Sequence, residues 1–171
     1  MENSLLISVV VPVFNEEESL GELYSELSHT FKKYSNWEII FVDDGSDDQS
    51  FPILQKIADN DNHVTVIRFF KNFGKADALS EGFKQTKGDI IITMDGDLQD
   101  DPTEIPNLVE KIQGGWDLVS GWKKNRRDPL FKRIPSKLFN FVTRLFTGIK
   151  IHDFNCGLKA YRRKVINAVD I

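Results

Sequence analysis

The stretch IIITMDGDLQDDP, residues 90–102, sets the β-branched run Ile90–Thr93 and Met94 directly before Asp95, Asp97, Asp100 and Asp101. A run so uniformly apolar suits a strand buried on both faces, as in a parallel sheet covered by helices. Carboxylates packed this closely repel one another, so water, a helix terminus or a cation must absorb the charge. Asp101 has a local explanation: with Pro102 and Glu104 it reads as the N-cap, first and third positions of a helix. Asp95 and Asp97 have none.

Working outward, strand-like and helix-like segments alternate. LISVVVPVF (residues 6–14) is a second uniformly apolar strand. Asn15 with Glu18 fits a capping box, opening a helix with Leu20, Leu23, Leu27 and Phe31 at helical spacing. WEIIFV leads to Asp43-Asp44-Gly45-Ser46, and Ser46 with Gln49 repeats the capping pattern ahead of a helix near 49–59. VTVIRF is a strand, NFGKADALSEGFKQTKG a loop and helix stopping at Gly88, and WDLVSGW a fifth strand. The rhythm βαβαβαβαβ predicts an α/β fold with a mostly parallel central sheet flanked by helices. In such sheets ligands sit outside the carboxyl ends of the strands. Pro12–Glu16, Asp43–Ser46, Asn72–Lys75 and Asp95–Asp97 are thereby expected along one edge.

At 171 residues, with 40% hydrophobic and 28% charged content, the chain is expected to form one domain with a real core. A single cysteine, Cys156, excludes an intrachain disulfide. The longest apolar run, Leu5–Phe14, is broken by Ser8 and Pro12 and falls well short of the roughly 20 residues of a spanning helix. Neither a signal peptide nor a membrane span is therefore expected. The net charge of −4 conceals a split: residues 1–120 hold 9 Lys/Arg against 23 Asp/Glu, and residues 121–171 hold 13 against 3. An acidic body with a basic final third suits a chain that holds a cation and attracts an anion. A solvated basic helix is the plainer alternative.

Asp95-Gly96-Asp97 flanks a residue without a side chain by two hard oxygen ligands, which suits Mg²⁺ or Mn²⁺ shared with phosphates. Asp43 and Asp44 could accept hydrogen bonds from a ribose or a base, or simply cap a turn. Neither a G-x-G-x-x-G nor a G-x-x-x-x-G-K-[ST] motif occurs, so dinucleotide and P-loop binding find no support.

VVVPVFNEEESL, FVDDGSDD, NFGKADAL, TMDGDLQDDP and HDFNCGLKAYRR, in this order, resemble the family 2 glycosyltransferases. The closer likeness is to the branch that makes polyprenyl-phosphate sugars, the dolichol-phosphate mannose synthases and bactoprenol glucosyltransferases. The resemblance implies the GT-A fold over residues 1–171, with a nucleotide-sugar half (1–120) and a basic acceptor side (121–171). It places Pro12, Asn15, Glu16, Asp43, Asp44, Lys75 and Asp95 at the donor. Asp95, Asp97 and Gln99 fall at a Mg²⁺ or Mn²⁺ site. Asp97 and Asp153 become the catalytic candidates, Asp153 as base or as an orienting group. Arg133, with Arg126 and Arg127, would grip an acceptor phosphate.

The implied activity is inverting, metal-dependent transfer of a hexose from a nucleotide sugar to polyprenyl phosphate. UDP-glucose is favoured and GDP-mannose is possible, with no nucleic-acid partner. Members of this branch usually continue into membrane spans, so the full-length form is expected at the cytoplasmic face of a membrane. In PLFKRIPSKLFNFVTRLFTG, Phe131, Ile134, Leu138, Val142 and Leu145 share a helical face with Lys/Arg beside it, fit either for a bilayer interface or for docking on the sheet. A hydroxyl-acceptor relative and a Mg²⁺-binding receiver-like regulator are the alternatives. His152 is read as a non-ligand and Cys156 as core.

Overall fold

The computed structural model describes residues 5–122 and 156–168. Six strands form one sheet: β1 (Ile7–Val13), β2 (Trp37–Asp43), β3 (Val64–Arg68), β4 (Ile90–Thr93), β5 (Leu118–Ser120) and β6 (Lys159–Arg162). Among the described residues five α-helices accompany them: α1 (Leu20–Phe31), α2 (Ser50–Asn60), α3 (Lys75–Gln85), α4 (Ile105–Gln113) and the short α5 (Arg163–Asn167). The strand order is β3-β2-β1-β4-β6-β5. The first four are mutually parallel, and β6 runs antiparallel to both β4 and β5.

The apolar runs behave as a doubly covered sheet requires. Val9, Val11 and Val13 of β1, Ile39 and Phe41 of β2, and Ile90 and Ile92 of β4 pack with α1, α2 and α4 in the larger core. The alternate residues Val10, Ile40, Val42 and Ile91 turn to the other face, where Ala78 and Phe83 of α3 and Ile166 of α5 cover them. Strand periodicity thus sorts every second side chain into one of two layers. Cys156 is buried in the larger core, as its sequence setting implies.

The structure corrects two details and adds a strand. The residue before α1 is Ser19, not Asn15, and the one before α2 is Gln49, not Ser46. Neither Ser19 nor Gln49 makes a side-chain capping hydrogen bond, and Asn15 and Ser46 bond across to each other's loop instead of capping. By contrast, the Asp101 side chain does accept from the Thr103 N–H (2.9 Å), with Pro102 next in line, over one 3₁₀ turn that leads into α4. Strand β6 lies in LKAYRR, where the charged residues hide an apolar pattern of only four positions. It inserts between β4 and β5, so the sheet is mixed at that end. Among the described residues no helix is long and apolar enough to cross a membrane.

Gly82 of α3 sits where a Cβ would lie 2.3 Å from Val10 Cγ1 and 3.2 Å from Val42 Cγ2. The helix therefore rides unusually low on the sheet. Gly82→Ala is expected to destabilise the protein by about 1–3 kcal/mol in urea unfolding, overpacking outweighing the gain in helix propensity. A stabilised variant would show that α3 can lift without cost.

Candidate active site

From β1 the chain winds to β2 and β3 on one side, then crosses back to β4 on the other. Order reversal at β1/β4 opens a crevice outside the carboxyl ends of those two strands. A cleft of about 330 Å³ occupies that place. Pro12, Phe14 and Glu16 line it from the end of β1, Asp44 from the end of β2, Asn72, Gly74 and Lys75 from the β3–α3 loop, and Asp95, Gly96 and Asp97 from the end of β4.

Side-chain-to-backbone bonds clip these loops together. The Asn15 N–H donates to Ser46 Oγ (3.0 Å), and Asn15 Oδ1 accepts from the Asp47 N–H (3.1 Å). The Glu16 N–H donates to Ser50 Oγ (2.8 Å). The Asp44 carboxylate receives two successive amides, Phe73 N–H at 2.7 Å and Gly74 N–H at 2.8 Å, which fixes the turn that delivers Lys75 to the start of α3. Ser19 Oγ donates to the Gly96 carbonyl (2.6 Å), joining the first loop to the last. Two glycines permit the crowding. Gly45 has φ +73°, and a Cβ there would stand 2.4 Å from the Lys71 carbonyl carbon. A Cβ on Gly157 would stand 2.4 Å from Asp95 Oδ2.

Negative charge dominates the cleft floor. Burial raises the Glu16 carboxyl above its ordinary pKa of 4.5, and the nearby Asp97, Asp48 and Asp95 push it further, against a hydrogen bond from Ser19. The Lys75 ammonium is ion-paired to Asp95 Oδ1. A cation already standing on Asp95, beside a carboxyl that its neighbours hold towards protonation, marks a place that favours positive charge. The donors are hard oxygens, the type that Mg²⁺ and Mn²⁺ select. Among the described residues no group of three or more His, Cys, Asp or Glu forms a metal cage. Asp95 and Asp97 are the residues that would hold such an ion, with further oxygens supplied by a ligand.

Of the residues read from sequence, Pro12, Glu16, Asp44, Lys75, Asp95 and Asp97 meet in the cleft. Asn15, which is exposed, and Asp43 are not among the residues that line it. Asp43 is fully buried, takes the Ser46 N–H on Oδ1 (3.1 Å), and holds Oδ2 at 3.3 Å from Arg68 Nε without a hydrogen bond. Both residues position the loops. Gln99 is exposed and outside the cleft lining, offering only its backbone N–H to Asp97 Oδ1 at 3.1 Å. Asp100, 5% exposed, instead accepts the Asp95 N–H (3.3 Å) and braces the motif from within. Asn72 joins the lining as its place in the Asn72–Lys75 loop implies, whereas Ser19, Asp100 and Gly157 carry site roles that their sequence setting did not announce. Arg126, Arg127, Arg133, His152, Asp153 and the amphipathic segment from Pro129 lie outside the described residues.

Residues 8–170 match the family model described as "Glycosyl transferase family 2". Over 96% of its length the chain is 43% identical to an undecaprenyl-phosphate 4-deoxy-4-formamido-L-arabinose transferase from Pseudomonas paraeruginosa, covering 49% of that protein. Its counterpart in Pectobacterium atrosepticum is 43% identical over 95% of the chain and 50% of that protein. The chain thus spans about half the length of the curated relatives it matches. Among solved structures, glucosyl-3-phosphoglycerate synthase from Mycobacterium tuberculosis bound to UDP superposes with a TM-score of 0.73 at 24% identity, over 94% of this chain and 58% of that one. A mannosyltransferase from Pyrobaculum calidifontis bound to GDP-mannose and Mn²⁺ gives 0.70 at 21%, over 95% and 46%. These likenesses establish the GT-A fold.

The raised pKa of Glu16 has a definite sign. Its folded value lies above 4.5, so the ionised side chain opposes folding at neutral pH and ceases to do so once protonated. Glu16→Gln is expected to raise the urea midpoint at pH 7, with the advantage fading as pH falls towards 4.5. A lower midpoint at pH 7 would contradict the repulsion assigned to this cleft.

Proposed function

The chain belongs to glycosyl transferase family 2, and from that premise we propose that it is the catalytic part of an enzyme transferring a sugar from a nucleotide sugar to polyprenyl phosphate. The observation that carries this reading is the assembly of Asp44, Lys75, Asp95 and Asp97 in one cleft at the β1/β4 switch point. The relatives' names support a polyprenyl phosphate acceptor, and they shift the sugar from the expected hexose to a 4-amino-type pentose, 4-deoxy-4-formamido-L-arabinose. A receiver-like regulator is set aside by family membership.

The chemistry follows from the charges. The bond between the anomeric carbon and the diphosphate breaks, and the nucleotide leaves with the electron pair. An acceptor phosphate oxygen forms the new bond from the opposite face. A phosphate monoester has its second pKa near 6, so at neutral pH it is largely dianionic and gives up no proton in attacking. Positioning then matters more than base catalysis. Asp95 and Asp97 would hold a divalent cation against the donor diphosphate, where it stabilises the leaving group's charge. The clipped loops hold these carboxylates and Lys75 ready before substrate arrives, which limits reorganisation during the reaction. The site would act at a membrane surface, where the lipid acceptor resides.

The test is calorimetric titration of the chain with UDP and UDP-sugars, with Mn²⁺ and then with EDTA. Binding is expected only with the metal, and Asp97→Asn is expected to abolish it without lowering thermal stability. Undiminished affinity in that variant would remove the carboxylate pair from the donor site. Transfer to undecaprenyl phosphate, followed by mass spectrometry, should favour UDP-4-deoxy-4-formamido-L-arabinose over UDP-glucose and GDP-mannose. Preference for either hexose donor would restore the hexose reading.

A further inference from the structure

The loop from β3 to α3 carries aromatic rings that the cleft does not use. Phe70 is 86% exposed and Phe73 45%, and Phe70 is the most exposed large hydrophobic side chain among the described residues. The rings are built on one another. Phe73 meets Phe69 edge-on at 5.6 Å between ring centres, and Phe70 likewise at 5.1 Å. The Lys71 ammonium lies 5.6 Å from the Phe70 centroid and 5.1 Å from that of Phe73, which puts a cation in the same cluster. The course of the loop is fixed, because Asp44 holds the Phe73 and Gly74 amides. One exposed apolar side chain needs no explanation. A preassembled group of rings with a cation, on a pinned loop, does.

Charge separates this segment from the body around it. RFFKNFGK, residues 68–75, holds three of the nine Lys/Arg of residues 1–120 and no acid. Arg68 faces Asp43 and Lys75 faces Asp95, whereas Lys71 is exposed beside the rings. A groove of about 360 Å³ next to them is walled by Gly45, Ser46, Arg68, Phe69 and Phe70. The Arg68 guanidinium, stacked 4.2 Å from the Phe51 centroid, gives that wall a group suited to phosphate. Size then decides the occupant. Rings of this exposure offer on the order of 250 Å² of apolar surface. A specific protein interface buries roughly 800 Å² per partner. A bilayer makes no such demand: aromatic rings sink into the headgroup boundary while lysine keeps its charge at the surface.

We propose that the β3–α3 loop docks this protein on an anionic lipid bilayer, with Phe70 and Phe73 entering the interface and Lys71 and Arg68 facing lipid phosphates. An anionic leaflet favours this loop over the acidic surface around it. The proposal rests on the glycosyltransferase reading for its purpose. Asn72, Gly74 and Lys75 of the same loop line the cleft, so insertion of the rings brings the cleft mouth towards the headgroups. There a lipid acceptor presents its phosphate. The grip of Asp44 on the loop makes docking set the orientation of the cleft as well as its height.

The experiment sediments the chain in EDTA with vesicles of phosphatidylcholine alone and with an equal amount of phosphatidylglycerol, and titrates it separately with UDP plus Mn²⁺. The mixed vesicles should bind more tightly. Phe70→Ser should weaken that binding at least fivefold, while UDP affinity stays within twofold and the thermal midpoint is unchanged. Phe70→Trp should bind at least as well as the wild type. Lys71→Glu should lose affinity for the mixed vesicles and little for phosphatidylcholine alone. Vesicle binding that Phe70→Ser leaves unchanged overturns the docking loop. So does a dimer in sedimentation velocity that Phe70→Ser dissociates, since the rings would then serve a second copy. If UDP fails to bind the wild-type chain while Phe70-dependent vesicle binding persists, the docking loop stands and the transferase reading falls.

Discussion

Concentrated negative charge at one sheet edge is the constraint around which this molecule is organised. Asp43, Asp44 and Asp100 are buried where strands end, and each takes one or two backbone N–H groups. A buried carboxylate without such donors would be driven to protonate or to unfold its surroundings. Here satisfying the charge also builds the site. Asp44 can bind two successive amides only if the β3–α3 loop folds back over the end of β2, and that fold delivers Lys75. Asp100 can accept the Asp95 amide only if the chain doubles back after β4, and that turn presents Asp95 and Asp97 to the cleft.

The same logic explains the glycines and small polar residues nearby. Ser19, Ser46 and Ser50 are short enough to reach a neighbouring loop's backbone without filling the space a ligand needs. Gly45 and Gly157 let backbone and carboxylate approach to distances that any Cβ would forbid. Such a site is stiff before its ligands arrive, which suits chemistry that depends on placing two anions on either side of one carbon. The Lys75–Asp95 pair keeps the charge of its carboxylate balanced in the meantime.

Much of the fold was legible in one dimension because both of its periodicities are strong. Ile90–Thr93 and Ile7–Val13 could be nothing but doubly buried strands, and Leu20, Leu23, Leu27 and Phe31 could face only a core. β6 escaped notice because four residues carrying Lys159 and Arg162 show no apolar run. The capping boxes misled for a different reason. Asn15 and Ser46 have the right chemistry for a cap, but cross-loop partners some thirty residues away compete for the same oxygens.

By itself, then, the sequence determined where the candidate residues gather: acids after apolar strands must lie at one edge of a parallel sheet, and the motif order named the family. Only the tertiary structure decided how they divide the labour. Burial and an inward hydrogen bond took Asp43 out of the cleft lining, cross-loop bonds engaged Asn15, and Asp44, Lys75, Asp95 and Asp97 were left lining it, while β6 brought Lys159 to the end of β4. The physical reason is that side-chain types and local periods are properties of neighbours in the chain. Burial, strand register and the choice between competing hydrogen-bond partners are settled by contacts that span tens of residues.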